Sequence, residues 1–141
     1  MKRKAIYILA LTLLAACGGQ SPSSQLQHLA GYWEISSVTL PNGVKKEFTL
    51  NTTVDFIEVS DSTGTRQKLN PQLDGSFRTT GTVESFDVTV SNDTLMLLYH
   101  TPFDNRKEWV LEASEEELLV KNPDGKVYTY KKFRKFNLTE E

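Results

Sequence analysis

Two imidazoles, one thiol and a scatter of carboxylates are what this 141-residue sequence offers to chemistry. His28 has no second histidine or carboxylate around it at metal-ligand spacing, so it reads as a surface histidine. His100-Thr101-Pro102-Phe103 closes an apolar run and reads as a structural turn, with the lining of a cavity mouth as its functional alternative. Asp55, Glu58 and Asp61 are close in sequence, but Asp55 and Glu58 fall on opposite faces of a strand and cannot pair as acid and base. Such charges are expected to be solvated. "SEEE" at residues 114–117 reads as a hairpin turn rather than a calcium site. GxSxG, HExxH, the P-loop, the EF-hand loop and CxxC are all missing. The expectation is a protein that is not an enzyme, with no catalytic residue, no metal ligand and no cofactor.

The single thiol, Cys17, has a distinctive setting. Lys2, Arg3 and Lys4 precede an apolar run over residues 5–16, interrupted only by Tyr7 and Thr12. A basic start, a short apolar stretch and a small-residue boundary are the parts of a secretory signal peptide. The run is shorter than the roughly 20 apolar residues a transmembrane helix needs. Leu14-Ala15-Ala16-Cys17 resembles the bacterial lipobox. That resemblance implies cleavage before Cys17, diacylation of its thiol and acylation of the new amino group. Stable anchoring takes at least two chains, each buried CH₂ contributing about 0.8 kcal/mol. The other reading of a lone cysteine is a disulfide to a second chain. Gly18 follows the cysteine, and "GGQSPSSQLQ" carries no acidic residue. By resemblance to sorted lipoproteins, this implies the outer membrane, at its periplasmic face.

Loss of the signal peptide reduces the 16 basic residues to 13 against 18 acidic ones, a formal net charge of −5. A chain so charged is a poor nucleic-acid ligand and gains little from anionic lipids. The expected membrane partner is the lipid on Cys17 itself.

The remaining chain divides into residues 17–25, a Gly/Ser/Gln-rich flexible tether; residues 26–133, one domain; and residues 134–141, a polar tail. "SQLQHLAG" reads as one helical turn with Leu26 and Leu29 on its apolar side. From Gly31 on, strand-like runs alternate with turn chemistry: "PNG" at residues 41–43, "DSTG" at 61–64, "SND" at 91–93 and "PDG" at 123–125. "TVESFDVTVS" alternates, with Phe86, Val88 and Val90 on one face. "EEELL" has helical propensity but is short and lies between two strand-like runs, so it is assigned to a strand. Consecutive short strands without a crossover helix predict an all-β fold, a single antiparallel up-and-down barrel of about eight strands, with a β-sandwich as the other arrangement.

Gly31-Tyr32-Trp33, a GxW triplet after a short helical turn, resembles the opening of lipocalins and related calycin barrels. The run "LLVKNPDGKVYTYKKF" resembles the closing hairpin of small lipocalin-like lipoproteins of the Bacteroidetes. The resemblance implies a barrel whose bottom is closed by Trp33. A Thr-Asp-Tyr motif before a middle strand is absent, and no single arginine stands in the last strand to stack on the tryptophan; Lys131, Lys132 and Arg134 are the candidates. The resemblance also implies a small apolar ligand, and the chain's own aromatics offer its wall, Trp33, Tyr99, Phe103, Trp109, Tyr128 and Tyr130, with filling of the barrel as their other reading. Two other classes stay open: a filled barrel serving as an interaction module of the cell envelope, whose protein partner the sequence does not name, and, last, an enzyme.

Overall fold

The structure, a computed structural model, describes residues 19–135. The expected signal peptide, the expected lipidation at Cys17 and residues 136–141 of the tail lie outside them. Helix α1 (Pro22–Leu29) opens the fold. Ser21 caps it by accepting from the Ser24 amide, and Pro22 sits in the first turn, where its missing N–H costs nothing. The helix is therefore longer than one turn and begins inside the stretch expected to be a flexible tether. The Ser-Pro start signal was hidden in a composition that otherwise reads as coil.

Ten strands follow: β1 (Gly31–Thr39), β2 (Lys45–Glu47), β3 (Val54–Ser60), β4 (Thr63–Pro71), β5 (Phe77–Thr79), β6 (Glu84–Ser91), β7 (Thr94–His100), β8 (Asn105–Ala113), β9 (Glu117–Lys121) and β10 (Val127–Lys132). Every pairing is antiparallel, and β10 pairs back onto β1, so eight strands close into a barrel. The two short strands stand outside that ring. β2 extends the later part of β1 where β3 has diverged, and β5 extends the later part of β4 where β6 has diverged. "EEELL" enters β9 as expected. Asn92 and Asp93 both take positive φ (51° and 57°), the geometry of a two-residue hairpin that matches the twist of its strands.

The end nearest α1 is closed. Leu29 and Trp33 have no exposure, and the Trp33 indole Nε1–H donates to the Leu29 carbonyl at 2.9 Å. Lys132, one of the three cations expected to cover the tryptophan, places its Nζ 4.4 Å from the Trp33 ring centroid. Gly31 explains itself here: its φ is +135°, and a Cβ would collide with the Lys132 ammonium. α1 is fastened to β8 at a bulge. The register slips between Val110 and Glu112, and the Leu111 carbonyl accepts from the Gln25 side chain at 3.1 Å.

Inward side chains change character along the strands. On β8 they run Ala113, Val110, Glu108, Arg106 from the closed end outward; on β3 they run Val59, Ile57, Asp55. On β6, Val88 and Phe86 give way to Glu84. The apolar core therefore fills the closed half of the barrel, and charges line the other half.

Candidate functional site

At the open end the barrel holds a hollow of about 500 Å³. Its floor is Arg66, which β4 projects inward two residues after Gly64. Gly64 lets this happen by close packing: a Cβ there would clash with the Phe86 ring and come within 2.6 Å of the Glu58 carbonyl oxygen. Phe86 in turn packs on Tyr99, with ring centroids 5.2 Å apart.

The Arg66 guanidinium uses its two amino groups on four partners. Nη1 donates to the Tyr99 hydroxyl (3.1 Å) and Glu108 Oε2 (3.2 Å); Nη2 donates to Asp55 Oδ2 (2.8 Å) and the Tyr130 hydroxyl (2.8 Å). Lys68 Nζ donates to the other Asp55 oxygen at 2.9 Å. Further out, Arg106 forms a two-pronged pair with Glu84 and stacks its guanidinium 4.2 Å from the Tyr99 ring centroid. Tyr128, the Thr80–Thr82 connection and Asn122 complete the wall.

Electrostatics follow from this geometry. Burial would raise the Asp55 carboxyl, but the charge and hydrogen bond of Arg66, then those of Lys68, hold it below the ordinary carboxylate value. Burial works against the charge of Arg66, and the two tyrosines and two carboxylates around it outweigh that, keeping it firmly ionised. Burial pushes the Tyr99 phenol up to about 12, so it stays neutral. The hydrogen bond from Arg106 holds Glu84 low. The lining thus carries three cations and three carboxylates in mutual contact. A network satisfied this way is rigid at its buried centre, where removing Arg66 would strand the carboxylates of Asp55 and Glu108.

Of the residues expected to wall a ligand, Tyr128 and Tyr130 line the hollow, and Tyr99 lies under it through Arg66. Trp33 belongs to the closed end, buried by α1. Phe103 and Trp109 are not brought to the site. Phe103 is 98% exposed on the β7–β8 turn. Trp109 alternates with the inward Glu108 and Val110 and lies on the outer face under the Lys107 ammonium, 5.2 Å from its ring. His100 also faces outward, its Nε2 2.8 Å from Asp87. The charged residues of the floor were missed because charges were assigned to solvent. Strand phase was the available signal: Asp55 is in step with Ile57 and Val59.

The sequence matches the lipocalin-like domain over residues 29–140. The chain belongs to the lipocalin-like domain family. This lipocalin-like chain also resembles two solved structures. One is a lipocalin-like protein from Bacteroides uniformis, at 12% identity and a TM-score of 0.47, covering 75% of this chain and 99% of that one. The other is an uncharacterized protein from Bacteroides eggerthii, at 11% identity and a TM-score of 0.46, covering 74% and 98%. No curated protein matches the sequence. Among the described residues of this lipocalin-like barrel, no three His, Cys, Asp or Glu side chains gather closely enough to hold a metal ion.

Proposed function

We propose that this chain is a lipid-anchored envelope protein that binds a small molecule in the open-end hollow and carries out no reaction on it. The observation that supports this reading most is the pairing of a hollow of about 500 Å³ with a floor whose polar groups are already fixed by one another. Sites for small molecules are commonly of this size and combine an apolar wall with a few placed polar groups. The Arg66 floor moves the ligand away from the purely apolar class: the inner end of the bound molecule carries hydrogen-bonding groups, and any apolar part lies along Tyr128 toward the mouth. The anchor is the acylated Cys17, read from Leu14-Ala15-Ala16-Cys17, and the location is the periplasmic face of the outer membrane.

A second reading has its own support. Trp33, Phe86, Leu97 and Tyr99 have at most 1% exposure, so the apolar half of the barrel has no room for a guest. A filled barrel serving only as an interaction module would account for that. Native mass spectrometry of the gently purified protein distinguishes the two. One co-purified small molecule per chain, lost in Arg106→Ala, is the expected result. No such molecule, together with no saturable uptake of a fluorescent fatty-acid-like probe by the wild-type chain, would favour the interaction module.

A further inference from the structure

Every charge that lines the hollow already has its counter-charge. Arg66 is bonded to Asp55 and Glu108, Lys68 to Asp55, and Arg106 to Glu84. A guest with a net charge would bring an ion that no lining group is left to balance. Pairing it would mean breaking a bond of the network, and leaving it unpaired out of water is costly.

Hydrogen-bonding capacity, by contrast, is left over. A guanidinium only donates, so the Tyr130 hydroxyl accepts from Arg66 and directs its own proton elsewhere. Among the described residues none accepts that proton. Burial, the largest influence on this phenol, raises it, so the proton stays on the oxygen. Lys68 commits one N–H to Asp55, and its side chain is 65% exposed. Glu84 takes one bond from Arg106 on each oxygen, and a carboxylate oxygen has a second lone pair to offer. Its side chain is 32% exposed, within reach of a guest. Spare donors on Tyr130 and Lys68 and a spare acceptor on Glu84 thus line one space.

We infer that the inner end of the ligand is an uncharged polyol, the chemistry of a sugar or glycerol headgroup. A hydroxyl accepts and donates through one oxygen. It can take a proton from Lys68 or Tyr130 and give its own to Glu84 while every ion pair stays intact. Neighbouring hydroxyls on one ring or chain repeat that exchange. A carboxylate only accepts and an ammonium only donates, so each would satisfy half of the lining and leave its own charge unanswered. Tyr128 remains as the wall for whatever apolar part follows the headgroup. This inference rests on the small-molecule reading of the hollow and narrows it to one ligand class.

The test uses the chain from Gly19 on, which keeps α1 and the entire barrel and needs no detergent that could compete. Isothermal titration calorimetry compares octyl glucoside, 1-octanoylglycerol, octanoate and octylammonium, each below its micelle concentration. At least one of the two polyol probes should bind saturably, and the stronger of them tells a sugar from a glycerol headgroup. Both charged probes should bind on the order of tenfold more weakly or not at all, as for an ion without a partner. Glu84→Gln keeps the shape of the side chain but leaves Arg106 without its carboxylate. It should weaken the polyol and strengthen octanoate, a reversal that loss of fold cannot mimic; circular dichroism verifies that the barrel is intact. A charged probe that matches the better polyol on the wild-type chain overturns the inference. So does an absence of binding by both polyols, or an unchanged order of preference in Glu84→Gln. Binding of a charged probe alone would sink the polyol class and leave the small-molecule reading standing; that reading falls only if no probe binds and no molecule co-purifies.

Discussion

Around Trp33 the barrel is filled with rings and aliphatic chains, while around Arg66, on the same strands, it is filled with charges. The first region is stabilised by removing apolar surface from water, which needs volume and shape but no particular partner. The second is held by pairing, where each group depends on its neighbours and the net gain is small, because desolvation offsets most of the Coulomb attraction. The comparison teaches that closure and capacity are separate tasks here. The closed half can hold the fold on its own terms, which leaves the open half free to keep a polar hollow.

Substitutions should separate the two regions cleanly. The largest loss is expected for Trp33→Ala, roughly 3–5 kcal/mol, as for other truncations of fully buried aromatic residues. Chemical denaturation should show it as a lower midpoint with an unchanged slope; a loss below about 1 kcal/mol would mean that the closed end is not the stabilising half. Arg66→Ala should cost a similar 3–5 kcal/mol for a different reason, since it leaves Asp55 and Glu108 buried without their cation. The comparison sharpens if the whole triad is replaced by Asp55→Leu/Arg66→Met/Glu108→Leu. Apolar replacement of a buried ion triad is often neutral or stabilising, so this variant should fold as well as the wild type while losing the co-purified molecule. A triad variant as unstable as Arg66→Ala would show that the charges carry the fold.

Acid should act on the open half first. The Asp55 carboxyl sits below its ordinary 3.8 in the folded barrel, so the unfolded chain takes up that proton first. Its contribution to stability is complete above the ordinary value and is lost as the pH falls through the lower folded one. Denaturation midpoints measured at pH 5 and pH 3 should therefore drop for the wild type and drop less for Asp55→Asn. The smallest effect belongs to the exposed His100, whose ring is raised above 6.5 by its hydrogen bonds to Asp87 and then Asn105. Its contribution is present below 6.5 and fades as the pH rises through the raised value. An NMR titration should show the His100 pKa returning toward 6.5 in Asp87→Asn; an unchanged titration would remove the contact from solution.

Much of the closed half was readable from residue order. Gly31-Tyr32-Trp33 after a short helix, the turns and the alternation of Phe86 and Val88 all depend on local backbone preference, which a sequence displays directly. The open half was not. Asp55 and Arg66 meet within the β3–β4 hairpin, but Glu108 and Tyr130 come from strands far along the chain and reach Arg66 only when the barrel closes. Val90 shows the limit of alternation itself: it keeps the phase of Phe86 and Val88 but lies 56% exposed beside the β6–β7 turn. Pleat phase says which side a residue takes, not where along the barrel the core ends.

The fastening of α1 to β8 has a practical corollary. The Gln20 side chain is hydrogen-bonded to the Ala113 backbone, and the Arg134 guanidinium is paired with Glu116, so the two ends of the described chain meet around one turn at the closed end. A fusion partner, fluorophore or solid support joined at either end would leave the mouth unobstructed. The old ends could also be linked and new ones cut in the β7–β8 turn, giving a permuted barrel with the same wall and a different strand first.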